Sequence, residues 1–135
     1  MNDSENPVFH ETCFACGTEN VHGLQMEFQD GPNGCTCDVT IPMHFQSYDG
    51  VVHGGIVATM LDAAMVHSLR GHDGHAPVTC RLEVRYLRPV SPGEILTVSA
   101  RRKTTRGKIV WAEADIHCVG VSCARARGAF TLTDR

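Results

Sequence analysis

No run of about 18 apolar residues occurs in this chain, so it contains no stretch of the kind that spans a bilayer as a helix. It also lacks an excess of positive charge. Its 12 Lys and Arg stand against 15 Asp and Glu, for a net charge of −3, which gives nucleic acid no electrostatic reason to bind. No internal repeat, low-complexity tract or linker interrupts the sequence, so a repeat architecture is excluded. The first residues, Met1-Asn2-Asp3-Ser4-Glu5-Asn6, have neither the basic start nor the apolar stretch of a secretion signal, and the expected location is cytoplasmic. The seven cysteines cannot all pair, and in a reducing compartment they read as thiols. Cys35, Cys37, Cys80, Cys118 and Cys123 fall in strand-like runs, where Cys packs as a small hydrophobe.

What is present is ordinary for a globular protein. The 135 residues, 42% of them hydrophobic, suffice for one core without staples. The expected organisation is an irregular segment over 1–22 followed by a single domain over 23–135.

Leu24, Met26 and Phe28 alternate with polar residues between Gly23 and Asp30, which predicts a strand. Gly31-Pro32-Asn33-Gly34 is a turn signal, and Cys35–Ile41 reads as a second strand. Pro42–Val52 reads as a loop. His53-Gly54-Gly55 opens one helix running to about Leu69, with Ile56, Val57, Met60, Leu61, Ala64 and Ser68 on a common stripe and Gly71 as its C-terminal cap. Four more strand-like runs follow: 78–86, 94–104, 108–119 and 121–133. In the first, Val78, Cys80, Leu82, Val84 and Tyr86 are expected on one face, and Thr79, Arg81, Glu83 and Arg85 on the other. Short turns between long strands imply antiparallel hairpins.

The order β-β-α-β-β-β-β leaves few packing solutions. A sheet of about six antiparallel strands must curl around the one long central helix to bury it. This is an α+β class, the hotdog fold. Ala58, Met65, Val66 and Leu69 lie off the main stripe and are not polar. Their cover is expected from a second subunit, giving a homodimer or a tetramer built from such dimers.

From Gly54 to Val66 the only charged residue is Asp62. Asp is a poor helix-interior residue, and at about 100° per residue this one points away from the stripe toward Ala58, Thr59 and Val66. A carboxylate among such neighbours is partly desolvated, which raises its pKa toward that of a useful general base. The plain alternative is an exposed surface Asp. His53-Gly54-Gly55 is an unusual helix start, because Ser, Thr, Asp or Asn caps better and each helical Gly costs about 1 kcal/mol relative to Ala. Glycine does allow close approach to free N–H groups that carry partial positive charge. Such donors can stabilise an oxyanion, with Gly54 as first choice. Asp62 lies about 12 Å of axial rise beyond Gly54. One chain's Asp62 therefore does not serve its own Gly54, whereas an antiparallel partner helix would bring the two together.

At this point the stretch Val51-Val52-His53-Gly54-Gly55-Ile56-Val57-Ala58-Thr59-Met60-Leu61-Asp62 resembles the signature of hotdog acyl-CoA thioesterases of the phenylacetate-degradation type, within the 4-hydroxybenzoyl-CoA thioesterase-like superfamily. Cys16-Gly17, Asn20 and Gly23-Leu24 resemble a pattern found in part of that family, and Arg85-Tyr86-Leu87-Arg88-Pro89-Val90 resembles the strand end before its Pro-Gly turn. The resemblance implies hydrolysis of an acyl-CoA thioester, with coenzyme A as part of the substrate and neither cofactor nor metal. It implies that Asp62 activates water or attacks the thioester, that His53 with Gly54 polarises the carbonyl, and that Thr79 places the water. Some relatives carry an amide side chain six residues before the His. Ser47 stands there in this chain, and the adjacent Gln46 is the expected substitute.

Other motifs compete. Cys13 and Cys16, with His10 and His22 nearby, are half of a zinc pattern, but no second Cys pair completes four ligands. Gly120-Val121-Ser122-Cys123-Ala124 is close to a serine-hydrolase elbow, yet it sits between strands rather than between strand and helix. His72, Asp73 and His75 share a loop that reads as solvated rather than metal-binding. Arg101, Arg102, Lys103, Arg106 and Lys108 cluster at one hairpin. Arg101, Arg102 and Arg106, with Arg88 elsewhere, are candidates to meet the phosphates of coenzyme A, and Gly55 is expected to lie against the substrate. Two further readings stay open on the same fold: a non-catalytic acyl-CoA-binding module, and a hydratase or dehydratase using His53 with Asp62.

Overall fold

The computed structural model describes residues 11–70 and 75–134. Six strands and one helix follow the expected order: β1 (Gln29–Gly31), β2 (Gly34–Thr40), α1 (Gly54–Leu69), β3 (His75–Tyr86), β4 (Ile95–Arg106), β5 (Ile109–Cys118) and β6 (Val121–Asp134), with a 3-10 turn at Met43–Phe45. All strands join one antiparallel sheet in the order β1-β2-β4-β5-β6-β3. The sheet wraps α1, which touches β2, β3, β4, β5 and β6, as the hotdog architecture requires.

Alternation on each strand selects what faces the helix. Cys35, Cys37 and Val39 of β2, Leu96, Val98 and Ala100 of β4, Val110, Ala112, Ala114 and Ile116 of β5, and Ala124, Ala126 and Phe130 of β6 are buried. Residues between them, such as Trp111, Glu113 and Asp115, face outward. The many alanines on β5 and β6 bring the sheet close to the helix. Gly128 takes this further, since a Cβ there would stand 2.8 Å from the Phe130 ring.

The structure departs from the sequence reading in four places. First, β1 is only three residues long. Leu24 and Met26 are buried as their alternation implied, but their N–H groups bond to the carbonyls of Phe14 and Ala15. Gln25 between them has a positive φ of 56°, so this stretch is not a regular strand. Second, Met65 and Leu69 are fully buried within one chain, whereas Ile56 is only half-buried. The sheet covers more of the helix than one flat face would, and the cover expected from a partner shrinks to Ala58 and Val66. Third, a β-bulge lies between Thr79 and Arg81 on β3. Such an extra residue reverses the alternation, so Thr79 shares the helix-facing side with Leu82, Val84 and Tyr86. Fourth, Cys80 lies in that bulge and is exposed, and Cys118 is half-buried; Cys35, Cys37 and Cys123 are buried as expected, and none of the seven cysteines is in a disulfide.

Candidate active site

The first turn of α1 has an unusual set of hydrogen bonds. His53 is the N-cap, at φ −55° and ψ 135°, and its Nδ1 accepts from the Gly55 N–H at 2.8 Å. Its carbonyl accepts from Ile56 at 2.9 Å and Val57 at 3.1 Å. Among the described residues, no hydrogen bond uses the Gly54 N–H, which leaves it as the free donor of that turn. The His53 N–H is itself held by the Phe45 carbonyl at 2.9 Å.

Asp62 is half-buried in the middle of the helix. It does not point clear of the sheet as the helical wheel suggested. It reaches sideways to the outer edge strand, where the Thr79 hydroxyl donates to its Oδ1 at 2.8 Å. Burial raises its pKa above the ordinary 3.8, and the Thr79 hydrogen bond offsets part of that rise by favouring the ionised form. The side chain is thus a carboxylate that holds a proton more readily than usual, with one donor fixing its orientation.

The other expected residues divide into groups. Gln46 pairs with Val52 in an isolated bridge, and its Oε1 accepts from the Gly50 N–H at 3.1 Å, so it braces the loop leading to His53. The exposed Ser47 hydroxyl donates to the Val51 carbonyl at 3.4 Å. Gly55 is exposed beside Gly54. Arg101 is taken up on the outer sheet face by Glu113 at 3.0 Å and Asp115 at 3.3 Å. Arg102 donates to Thr105 at 3.1 Å, and Arg106 and Arg88 are exposed. The sheet register relates these residues to the site. Arg106 pairs with Ile109, Ile109 with Thr131, and Thr131 with Val78, so the basic hairpin shares the sheet end that carries Thr79 and Asp62. Arg88 follows Tyr86, at the end that carries Gly54.

Sequence reasoning missed Tyr86. Its hydroxyl donates to the Gly54 carbonyl at 2.7 Å. An aromatic residue ending the strand after a double glycine was the available signal.

Among the described residues, no three His, Cys, Asp or Glu side chains come together where they could hold a metal ion. Cys13 and Cys16 do lie within hydrogen-bonding reach, and burial with the Cys13 neighbour pushes the Cys16 thiol up to about 12. His10, and the loop residues Gly71, His72 and Asp73, fall outside the described residues. Ser122 lies within β6 rather than at a strand-to-helix turn, so it is not a hydrolase elbow. No helix among the described residues is long and apolar enough to cross a membrane.

The Thioesterase superfamily model matches residues 49–123, a span that holds the end of the loop before the helix, all of α1, and β3 to β5. The chain belongs to the thioesterase superfamily. A thioesterase superfamily protein, RHA08564, is 26% identical with a TM-score of 0.80; the match covers 88% of this chain and 62% of that one, so this chain spans less than two thirds of its length. The BH2602 protein of Bacillus halodurans, solved with CoA, is 26% identical with a TM-score of 0.72, over 83% of this chain and 76% of that one. The E. coli PaaI protein, from a phenylacetic acid degradation operon, is 20% identical with a TM-score of 0.73, over 80% and 83%, and supports the fold alone. No curated protein matches the chain. In this superfamily member the helix start and the mid-helix acid lie at opposite ends of one strand, with Tyr86 at one and Thr79 at the other.

Proposed function

We propose that the protein hydrolyses acyl-CoA thioesters, with Asp62 of one protomer and the Gly54 N–H of its partner forming each active site. The observation that carries this reading is the half-buried Asp62 carboxylate, oriented by Thr79 and with its pKa raised by burial. The free Gly54 N–H supplies the complementary donor. It would hold the thioester oxygen as negative charge develops there. Asp62 takes a proton from water as the water oxygen bonds to the carbonyl carbon, or attacks that carbon itself to form a mixed anhydride, which water then cleaves to free the acid and restore the carboxylate. In either route the C–S bond breaks, the thiolate leaves and takes up a proton, and the net reaction is thioester plus water to acid plus thiol.

The free edge of the sheet supports the dimer. β3 is a terminal strand of 12 residues, and its exposed Val78, Leu82 and Tyr86 make it an edge that invites pairing. Antiparallel pairing of β3 with its copy would lay the Thr79 end of one protomer against the Tyr86 end of the other. That carries Asp62 toward the partner's Gly54 and solves the separation within one chain. CoA in the Bacillus halodurans relative supports a CoA-type ligand. Arg102 and Arg106 stand at the Asp62 end to meet its phosphates, with Arg88 at the other. Arg101 is the weaker candidate because two carboxylates already hold it. A cytoplasmic location and a tetramer built from two such dimers complete the reading.

A panel of acyl-CoA substrates assayed with a thiol-trapping dye tests it. Wild-type protein should release thiol, and Asp62→Asn and Asp62→Ala should not. Affinity for acyl-CoA without thiol release in the wild type would identify a binding module instead. A change in enoyl absorbance would identify a hydratase.

A further inference from the structure

We infer that Tyr86 is a positioning residue for the turn that carries the Gly54 N–H, acting through the Gly54 carbonyl and the His53 ring; this rests on the thioesterase reading above. The Tyr86 hydroxyl donates to the Gly54 carbonyl at 2.7 Å. The ring packs on the same residue, so that a Cβ built on Gly54 would meet its Oη, Cε1 and Cζ at 3.6, 3.7 and 3.8 Å. The Gly54 carbonyl belongs to the peptide whose N–H is that of Gly55. That N–H in turn donates to His53 Nδ1 at 2.8 Å. The result is one continuous run, from phenol to carbonyl, through the peptide, to imidazole. Bonds linked in this way polarise one another.

Two consequences follow. With Nδ1 accepting, a neutral His53 carries its proton on Nε2, which fixes the donor side of an exposed ring beside the site. The Gly54 N–H is also held in direction, because the peptide after it and the cap residue before it are both tied. Two successive glycines cannot hold a helical turn by side-chain packing, so this turn gains from an outside tie beyond the Phe45 bond to His53. Tyr86 supplies it from β3, the strand that also carries Thr79. Both halves of the proposed site are therefore referenced to one strand. Tyr86 is 54% exposed, so the ring adds little to the core, and the specific contribution is the hydroxyl bond.

Tyr86→Phe in the whole 135-residue chain tests the inference, because it removes one hydroxyl and keeps the ring. The expected result is a fall in kcat of about tenfold with KM changed less than about twofold. In the ring-nitrogen NMR spectrum, the Nε2–H form of His53 should lose population, and the Gly55 amide should exchange faster. A kcat within about twofold of wild type, or an unchanged His53 spectrum and Gly55 exchange rate, would overturn it. A wild-type protein that releases no thiol would sink the thioesterase reading alone. The ring and amide measurements would still decide whether Tyr86 holds the turn.

Discussion

Replacing Thr79 with Val removes one hydroxyl and nearly preserves shape, so it isolates the bond to Asp62. A hydrogen bond to a charged group contributes roughly 1.5–3 kcal/mol. Thr79 is exposed, so water takes over part of the bond, and the lower end of that range applies. About 1.4 kcal/mol is a factor of ten in an equilibrium constant. The bond favours the ionised carboxylate, and burial opposes it. Removing the bond leaves burial unopposed and moves the protonation midpoint of Asp62 further up. Because the proposed reaction needs the ionised form, kcat/KM of Thr79→Val should fall about tenfold on the acidic limb. The deficit should shrink as pH rises, once both proteins are fully ionised. Thr79→Ser keeps the hydroxyl and should track the wild type. The assay is thiol release across a pH series for all three proteins. Superimposable wild-type and Thr79→Val profiles, or a deficit constant at every pH, would refute the reasoning.

Two other outcomes follow from the same geometry. Asp62→Asn should lose activity by at least about a hundredfold and yet melt higher than wild type at neutral pH. The folded-state pKa of Asp62 lies above its ordinary 3.8, so the ionised form is disfavoured by folding. Its contribution to stability is intact at pH values below 3.8 and is lost as pH rises through the folded-state value. The advantage of the Asn variant in thermal melts should therefore vanish in acid; an advantage that persists there would contradict the sign. Gly34→Ala should destabilise by more than about 1 kcal/mol, because Gly34 sits at φ +146° and an added Cβ would stand 2.0 Å from the Ala100 carbonyl oxygen. An unchanged melting temperature would show that β2 can shift against β4.

The element order and the helix site were legible because local pattern and tertiary structure agree there. Asp62 is the single charge in an apolar helix, and His53-Gly54-Gly55 is a start that no capping preference explains. Thr79 entered through the family resemblance, while strict alternation put it on the wrong face of β3. The extra residue at Cys80 reverses the phase, and a bulge leaves no reliable mark in one sequence. The 24–28 stretch kept its alternation and lost its strand, because its backbone partners are in the irregular loop at Phe14 and Ala15. Met65 and Leu69 looked uncovered on a helical wheel, since the wheel does not include the curl of the sheet. That shifts the case for a partner from the helix to the free edge of β3. The engagement of Arg101 with Glu113 and Asp115 depends on the β4–β5 register, which no motif announces.

A complementation assay tests most directly whether each active site is shared between protomers. Gly54→Pro removes the free N–H with a backbone that fits, since proline suits the first helical position, the His53 backbone already has the extended ψ of 135° that a following proline requires, and an added Cβ would meet the Tyr86 ring only at ordinary contact distance, 3.6 Å or more. Gly54→Pro and Asp62→Asn should each be inactive alone. After unfolding together and refolding, mixed dimers should carry one intact site apiece, and activity should return to about a quarter of wild type. Two folded, dimerised variants that stay inactive when mixed would contradict a site built from one protomer's carboxylate and its partner's amide.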